Sequence, residues 1–157
     1  MESSLSLIVA LCLASGLWIE AEARPDEEMC PSGWSQYGCS CFKFFGGGKR
    51  WADAELDCIK QGGNLASIHS DAEHQFVRDL IRSSSGGNKR TYVGGHDLHK
   101  EGLWAWSDGS KFSFPGWHKG EPNNHGRGED CMELNFHYGG NDIPCNLARP
   151  YVCSKPV

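Results

Sequence analysis

The sequence predicts an α+β domain stapled by disulfides, and three observations carry that expectation. Two amphipathic helical patterns come first, within residues 51–82, and short strand-like runs follow after residue 90. Helices grouped before strands suit an α+β layer rather than alternating βαβ units. Of eight cysteines in 157 residues, seven lie behind an apolar N-terminal run, the composition of an exported, cross-linked chain. Residues 109–129 are rich in Gly, Pro, Asn and His and show no period, and such a segment inside a compact domain is functional or disordered.

From the N-terminus, Leu5 to Ile19 is apolar apart from small residues, and Ala21-Glu22-Ala23 is a small-x-small cleavage site, so residues 1–23 read as a signal peptide. Glu2 stands where a positive charge is usual. The apolar run is shorter than the roughly 20 residues a membrane span needs, and no later run is longer, so no membrane anchor is expected. Residues 24–29 form a short acidic leader and residues 30–154 the folded domain. The formal charge is −5, and three of the acids, Glu2, Glu20 and Glu22, lie in the signal region with no Lys or Arg, leaving −2. That balance gives no electrostatic reason to expect nucleic acid or an anionic membrane as a partner. No Asn-x-Ser/Thr sequon is present.

Cys12 leaves with the signal peptide, and Cys30, Cys39, Cys41, Cys58, Cys131, Cys145 and Cys153 remain. They should form a disulfide framework with one thiol over, and the sequence does not choose among the connectivities. The odd thiol reads equally as a bond to another chain or as a buried or capped cysteine.

Cys41-Phe-Lys-Phe-Phe reads as a strand from its aromatic content, broken by Gly46-Gly47-Gly48. Trp51 to Gln61 reads as a helix with Ala52, Leu56 and Ile59 as its apolar spacing, Ala54 and Cys58 alongside, and Gly62-Gly63 as its stop. Asp53, Glu55 and Asp57 read as its solvated face. A second helix runs from Asp71 to Arg82, with Ser70 as N-cap, Glu73 completing a capping box, and Phe76, Val77, Leu80 and Ile81 as one stripe. Thr91-Tyr92-Val93, Leu103 to Trp106, Cys131 to Leu134 and Tyr151 to Cys153 read as strands. Trp104 and Trp106 read as core residues.

The stretch from residue 121 to 142 carries the chemistry. Glu121, Asn123, Glu129, Asn141 and Asp142 offer carboxylate and amide oxygens at loop-like places. A hard cation such as Ca²⁺ takes six to eight oxygens at about 2.3–2.6 Å, so five side chains leave coordination positions open for a ligand. His69, Glu73 and His74 do not make a zinc-protease helix, because the histidines are not an i, i+4 pair. No nucleophile, base and orienting group can be nominated together, so no enzyme is expected.

Taken in order, Cys30-Pro-x-Gly-Trp, Trp51-Ala-Asp-Ala-Glu55, Gly63-Asn-Leu-Ala-Ser-Ile68, Trp104-x-Trp-Ser-Asp-Gly109, Glu121-Pro-Asn123, Glu129-Asp-Cys131 and Asn141-Asp142 resemble the C-type lectin domain over nearly all of residues 30–154. Among its members the chain is most similar to small secreted single-domain fish lectins, including venom lectins, a subgroup that also resembles type II antifreeze proteins. The resemblance implies two helices with two small antiparallel sheets and a long calcium-binding loop region. It implies the disulfides Cys30–Cys41, Cys58–Cys153 and Cys131–Cys145, with Cys39 as the extra cysteine, placed to link two subunits as a homodimer.

It further implies that Glu121, Asn123, Glu129, Asn141 and Asp142 hold a Ca²⁺ and that Pro122 is cis. Glu121 with Asn123, and Glu129 with Asn141, would each pair with a sugar hydroxyl, and His125 would add an edge contact. The Glu-Pro-Asn order goes with mannose-type sugars in the family and Gln-Pro-Asp with galactose. Many members have Trp before the Asn-Asp pair, so Gly140 is expected to lose packing under the loop. Asn124 and Asp130 leave a second ion open. The expected function is a secreted, calcium-dependent lectin of mannose type, with cell-surface or glycoprotein glycans as partners. A galactose-binding lectin, an ice-binding protein and a protein-binding venom toxin are the alternatives.

Overall fold

A computed structural model describes residues 29–157. The signal peptide assigned to residues 1–23, and the leader except Met29, lie outside the described residues. The elements are β1 (Ser35–Tyr37), β2 (Ser40–Lys49), α1 (Trp51–Lys60), β3 (Asn64–Leu65), α2 (Asp71–Ser85), β4 (Thr91–His96), β5 (Ala105–Trp106), β6 (Cys131–Phe136), β7 (Gly139–Ile143) and β8 (Arg149–Pro156). The α+β expectation holds.

The two separate sheets expected are one. Strands run β1-β2-β8-β4-β6-β7, with β3 beside β8 and β5 beside β4. β2 and β8 pair antiparallel, bringing the two ends of the domain together from Ser40↔Pro156 to Phe45↔Tyr151. A parallel bridge, Tyr92↔Tyr151, joins this half to the β4-β6-β7 half. The glycine run does not end β2. The strand bulges after Phe45 and resumes at Lys49↔Arg149, because β8 is long enough to pair with it on both sides.

α1 turns a different face inward from the one its apolar spacing suggests. Trp51, Ala54 and Cys58 are buried, whereas Leu56 and Ile59 are 56% and 52% exposed. Two interactions fix that rotation. The Trp51 indole N–H donates to the Val93 carbonyl at 2.9 Å, and Cys58 is tied to Cys153. The acids expected in solvent are engaged as well. Glu55 accepts from Asn64 Nδ2 (2.5 Å), the Leu65 N–H (2.7 Å) and Ser107 Oγ (3.0 Å), and Asp57 accepts from the Tyr151 hydroxyl.

α2 follows its sequence signals closely. Ser70 accepts from the Glu73 N–H at 3.1 Å, while the Glu73 carboxylate reaches back to the His69 N–H at 2.7 Å, one residue further than a reciprocal capping box. Gly86, at φ 77°, ends the helix three residues beyond Arg82, in the left-handed conformation glycine adopts freely. Val77 and Ile81 enter the larger core with Ile68, Val93, Trp106, Met132, Leu134 and Val152. Trp104 packs partly buried against it. A second cluster gathers Trp51, Ala54, Leu65, Tyr92, Ile143 and Tyr151 around α1.

The disulfides between described residues include Cys30–Cys41, Cys58–Cys153 and Cys131–Cys145. No described cysteine is free.

Candidate functional site

The predicted site is built on β7 and on the loop that lies along it. Trp117 bridges Gly140 in parallel, the His118 N–H donates to the Gly140 carbonyl at 2.9 Å, and the Gly140 N–H donates to the Gly116 carbonyl at 2.8 Å. The chain then turns, with the Glu121 N–H donating to the His118 carbonyl at 2.9 Å, and enters a cis Glu121–Pro122 peptide. Asn124, at φ 45°, starts a short 3-10 turn over His125–Arg127.

The packing expected to be lost at Gly140 is present. A Cβ there would stand 2.8 Å from Met132 Cε and from Phe114 Cε1, and 3.3 Å from Trp117 Cε3. The space under the loop is already filled, from the loop's own side, by Phe114 and Trp117.

Asp142 organises the loop. Its carboxylate accepts from the Asn123 N–H at 3.0 Å and the Asn124 N–H at 2.6 Å. Asn123 Nδ2 donates to Glu121 at 3.0 Å, and its Oδ1 accepts from the His125 N–H at 2.8 Å. The same N–H donates to Glu129 at 2.8 Å, and the Glu129 N–H donates to Asn124 Oδ1 at 3.1 Å. Glu121, Asn123, Glu129 and Asp142 therefore belong to one network. The His125 side chain is exposed beside it.

Asn141 and Asp142 are strand residues rather than loop residues, and both are buried. Asn141 Nδ2 donates to Glu133 at 3.2 Å, and the fully buried Glu133 is held by Arg149 Nε at 2.7 Å. Neighbours on a strand point to opposite faces, so the two side chains are presented differently. Glu133 was missed in the sequence, where an acid inside an apolar strand run gives no sign that it supports Asn141.

The site is electrostatically unsatisfied. Burial first, then the neighbouring Asp142 and Glu129 carboxylates, push the Glu121 carboxyl up to about 7. Burial first, then Asp142, also raise Glu129. Glu121 Oε2 is buried without a hydrogen-bond partner. Crowded carboxylates with an orphaned buried oxygen are the donor set a hard cation satisfies.

A second acidic group adjoins the first. The carboxylate oxygens of Asp97, Glu101 and Asp130 lie within 4.8 Å of one another, a convergence that Glu121, Glu129 and Asp142 do not show among the described residues. Asp97 is buried, with Oδ2 accepting from the Gly102 N–H at 2.8 Å and Oδ1 lacking a partner. Asp97 and Glu101 were also missed. Their signal is an acid pair four apart in a turn-rich segment, which is weak alone.

The zinc-protease pattern has no geometry behind it. His74 is buried against Phe114, whereas His69 Nε2 meets Ser67 Oγ at 3.0 Å and Ser110 Oγ at 3.2 Å. Both serine hydroxyls donate to Asp108, so His69 Nε2 must carry the proton in these contacts. A catalytic triad needs the opposite polarity, with histidine accepting the serine proton.

A Lectin C-type domain model matches residues 47–155. The chain is 47% identical to the galactose-specific lectin nattectin of Thalassophryne nattereri, over 94% of this chain and 94% of that one. It is 42% identical to the lactose-binding lectin l-2 of Anguilla japonica, over 81% and 78%. The solved structure of herring type II antifreeze protein superposes with a TM-score of 0.76 at 33% identity, covering 82% of this chain and 99% of that one. The chain belongs to the C-type lectin family.

Proposed function

We propose that the chain is a secreted, calcium-dependent lectin without catalysis, binding sugar at Glu121, Asn123, Glu129, Asn141 and Asp142. The buried, unpartnered Glu121 Oε2 beside Asp142 on the cis turn carries the reading. A bound calcium would balance the carboxylates and accept two neighbouring sugar hydroxyls. Glu121 and Glu129 would each accept a hydrogen bond from a sugar hydroxyl and the Asn123 and Asn141 amides would donate in return, charge-assisted bonds being the stronger kind. Asn141 has two amide hydrogens, so the bond to Glu133 leaves one for a sugar. Asp97, Glu101 and Asp130 suit a second cation.

The Glu121-Pro122-Asn123 order supports a mannose-type sugar, while the names of the relatives from Thalassophryne nattereri and Anguilla japonica support galactose or lactose. Retention on mannose-Sepharose in calcium and elution by free mannose establish the first reading. Elution by galactose alone establishes the second. The likeness to an antifreeze protein supports an ice-binding alternative, which thermal hysteresis without sugar binding would establish. A protein-binding toxin has no use for the retained ligand set, and calcium-independent capture of a protein partner would favour it.

A further inference from the structure

We propose that the face beside the β6–β7 hairpin tip, where Arg78 lies over an exposed Tyr138 and Arg82, Lys89 and Arg90 stand on the adjoining segments, is a second saccharide site, specific for sugars bearing sulfate or carboxylate groups. The net charge of −5 conceals this face. Arg78 and Arg82 lie on α2, and Lys89 and Arg90 lead into β4. Asn135 binds the two segments together. Its Oδ1 accepts from Arg78 Nε at 3.3 Å and its Nδ2 donates to the Lys89 carbonyl at 3.1 Å. Arg82 Nε reaches Asn88 Oδ1 at 3.3 Å.

The guanidinium groups are ordered on aromatic rings. Arg78 Cζ stands 5.0 Å from the Tyr138 ring centre and Arg90 Cζ 4.8 Å from that of Phe136. Arg78 uses Nε on Asn135 and Nη1 on Gln75, and its remaining N–H groups can meet an oxyanion. The nearby acids do not cancel the charge. Glu133 is fully buried and shared between Arg149 at 2.7 Å and Arg90 at 3.7 Å, so Arg78, Arg82 and Lys89 carry the uncompensated charge.

The turn is built to hold side chains out. His137 and Tyr138, at φ 43° and 72°, form a two-residue turn between the paired Phe136 and Gly139. That conformation favours Asn-Gly, and Asn135 at φ 68° adds a third left-handed residue. Such backbone persists where the side chains it presents are used. Tyr138, 59% exposed, offers a flat apolar surface for the C–H face of a sugar ring beside the cations that would take its anionic group.

The face also continues toward the calcium loop. Phe136 and His137 meet the His118 ring at 5.3 and 5.1 Å, and the His118 carbonyl accepts the Glu121 N–H. A lipid surface fits less well. Membrane-bound basic helices turn an apolar stripe outward, whereas Val77 and Ile81 of α2 are buried in the core.

The full chain, in EDTA, should bind immobilised heparin and lose that binding steeply as salt rises, because exposed charges are screened. Arg78→Gln with Arg82→Gln should weaken it on the order of tenfold, and Tyr138→Ala several-fold. Both variants should keep the wild-type unfolding midpoint and calcium-dependent sugar retention. Desulfated heparin should bind poorly. The proposal is overturned if heparin is not retained at low salt, if the double variant binds it as the wild type does, or if phosphatidylserine vesicles bind as tightly as heparin.

Discussion

His74 sits on α2 with its ring against Phe114 and its Nε2 buried without a partner. Burial, helped by Arg78, lowers its pKa from 6.5 to about 4. Above pH 6.5 the ring is neutral in both folded and unfolded chains. Between 6.5 and about 4 the unfolded chain takes up the proton first, so stability falls as pH falls through that window. His74→Leu should leave the neutral-pH urea midpoint nearly unchanged and make this acid limb shallower, a comparison of midpoints at neutral pH and about pH 5 being the check. Gly140 gives a second test, since a methyl group there meets Met132 and Phe114 at 2.8 Å. Gly140→Ala should lower unfolding stability by about 1–3 kcal/mol in denaturant titrations, as overpacking of a filled site does.

Glu55 and Leu56 are sequence neighbours on α1 with their expected roles exchanged. Glu55→Ala removes the acceptor for the Leu65 N–H, Asn64 and Ser107, and should lower stability by about 1–3 kcal/mol. Leu56→Ala removes an exposed side chain and should stay within about 0.5 kcal/mol of wild type. Urea melts of the two variants, run side by side, decide it. The helix was legible in the sequence, but its rotation was not, because that depends on Val93 and Cys153, residues brought to it only by the fold. α2 was legible in both respects, since its cap, stripe and glycine stop are local. β7 escaped notice because Gly-Gly-Asn-Asp-Ile has the composition of a turn, and its strand character comes from pairing with β6.

Across the whole molecule, Cys58–Cys153 ties α1 to β8 over a separation of 95 residues. Replacing both cysteines by serine should remove about 4–5 kcal/mol of stability, read from denaturant midpoints, by the chain-entropy estimate for so long a loop. The order of the motifs revealed the family, and four of the residues it singled out, Glu121, Asn123, Glu129 and Asp142, meet in one network. The sequence did not reveal the acids that support or extend it. Glu133, Asp97 and Glu101 acquire meaning only when β6 packs beside β7 and the segment after β4 folds toward Asp130.

On the proposed function, sugar binding runs through a cation held by this network. The most direct test is retention of the full chain on mannose- and galactose-Sepharose in calcium, followed by EDTA. Retention on one matrix, complete release by EDTA, and loss of both with Glu121→Ala are the expected results. Retention that survives EDTA, or a Glu121→Ala protein that binds sugar as the wild type does, would contradict the account.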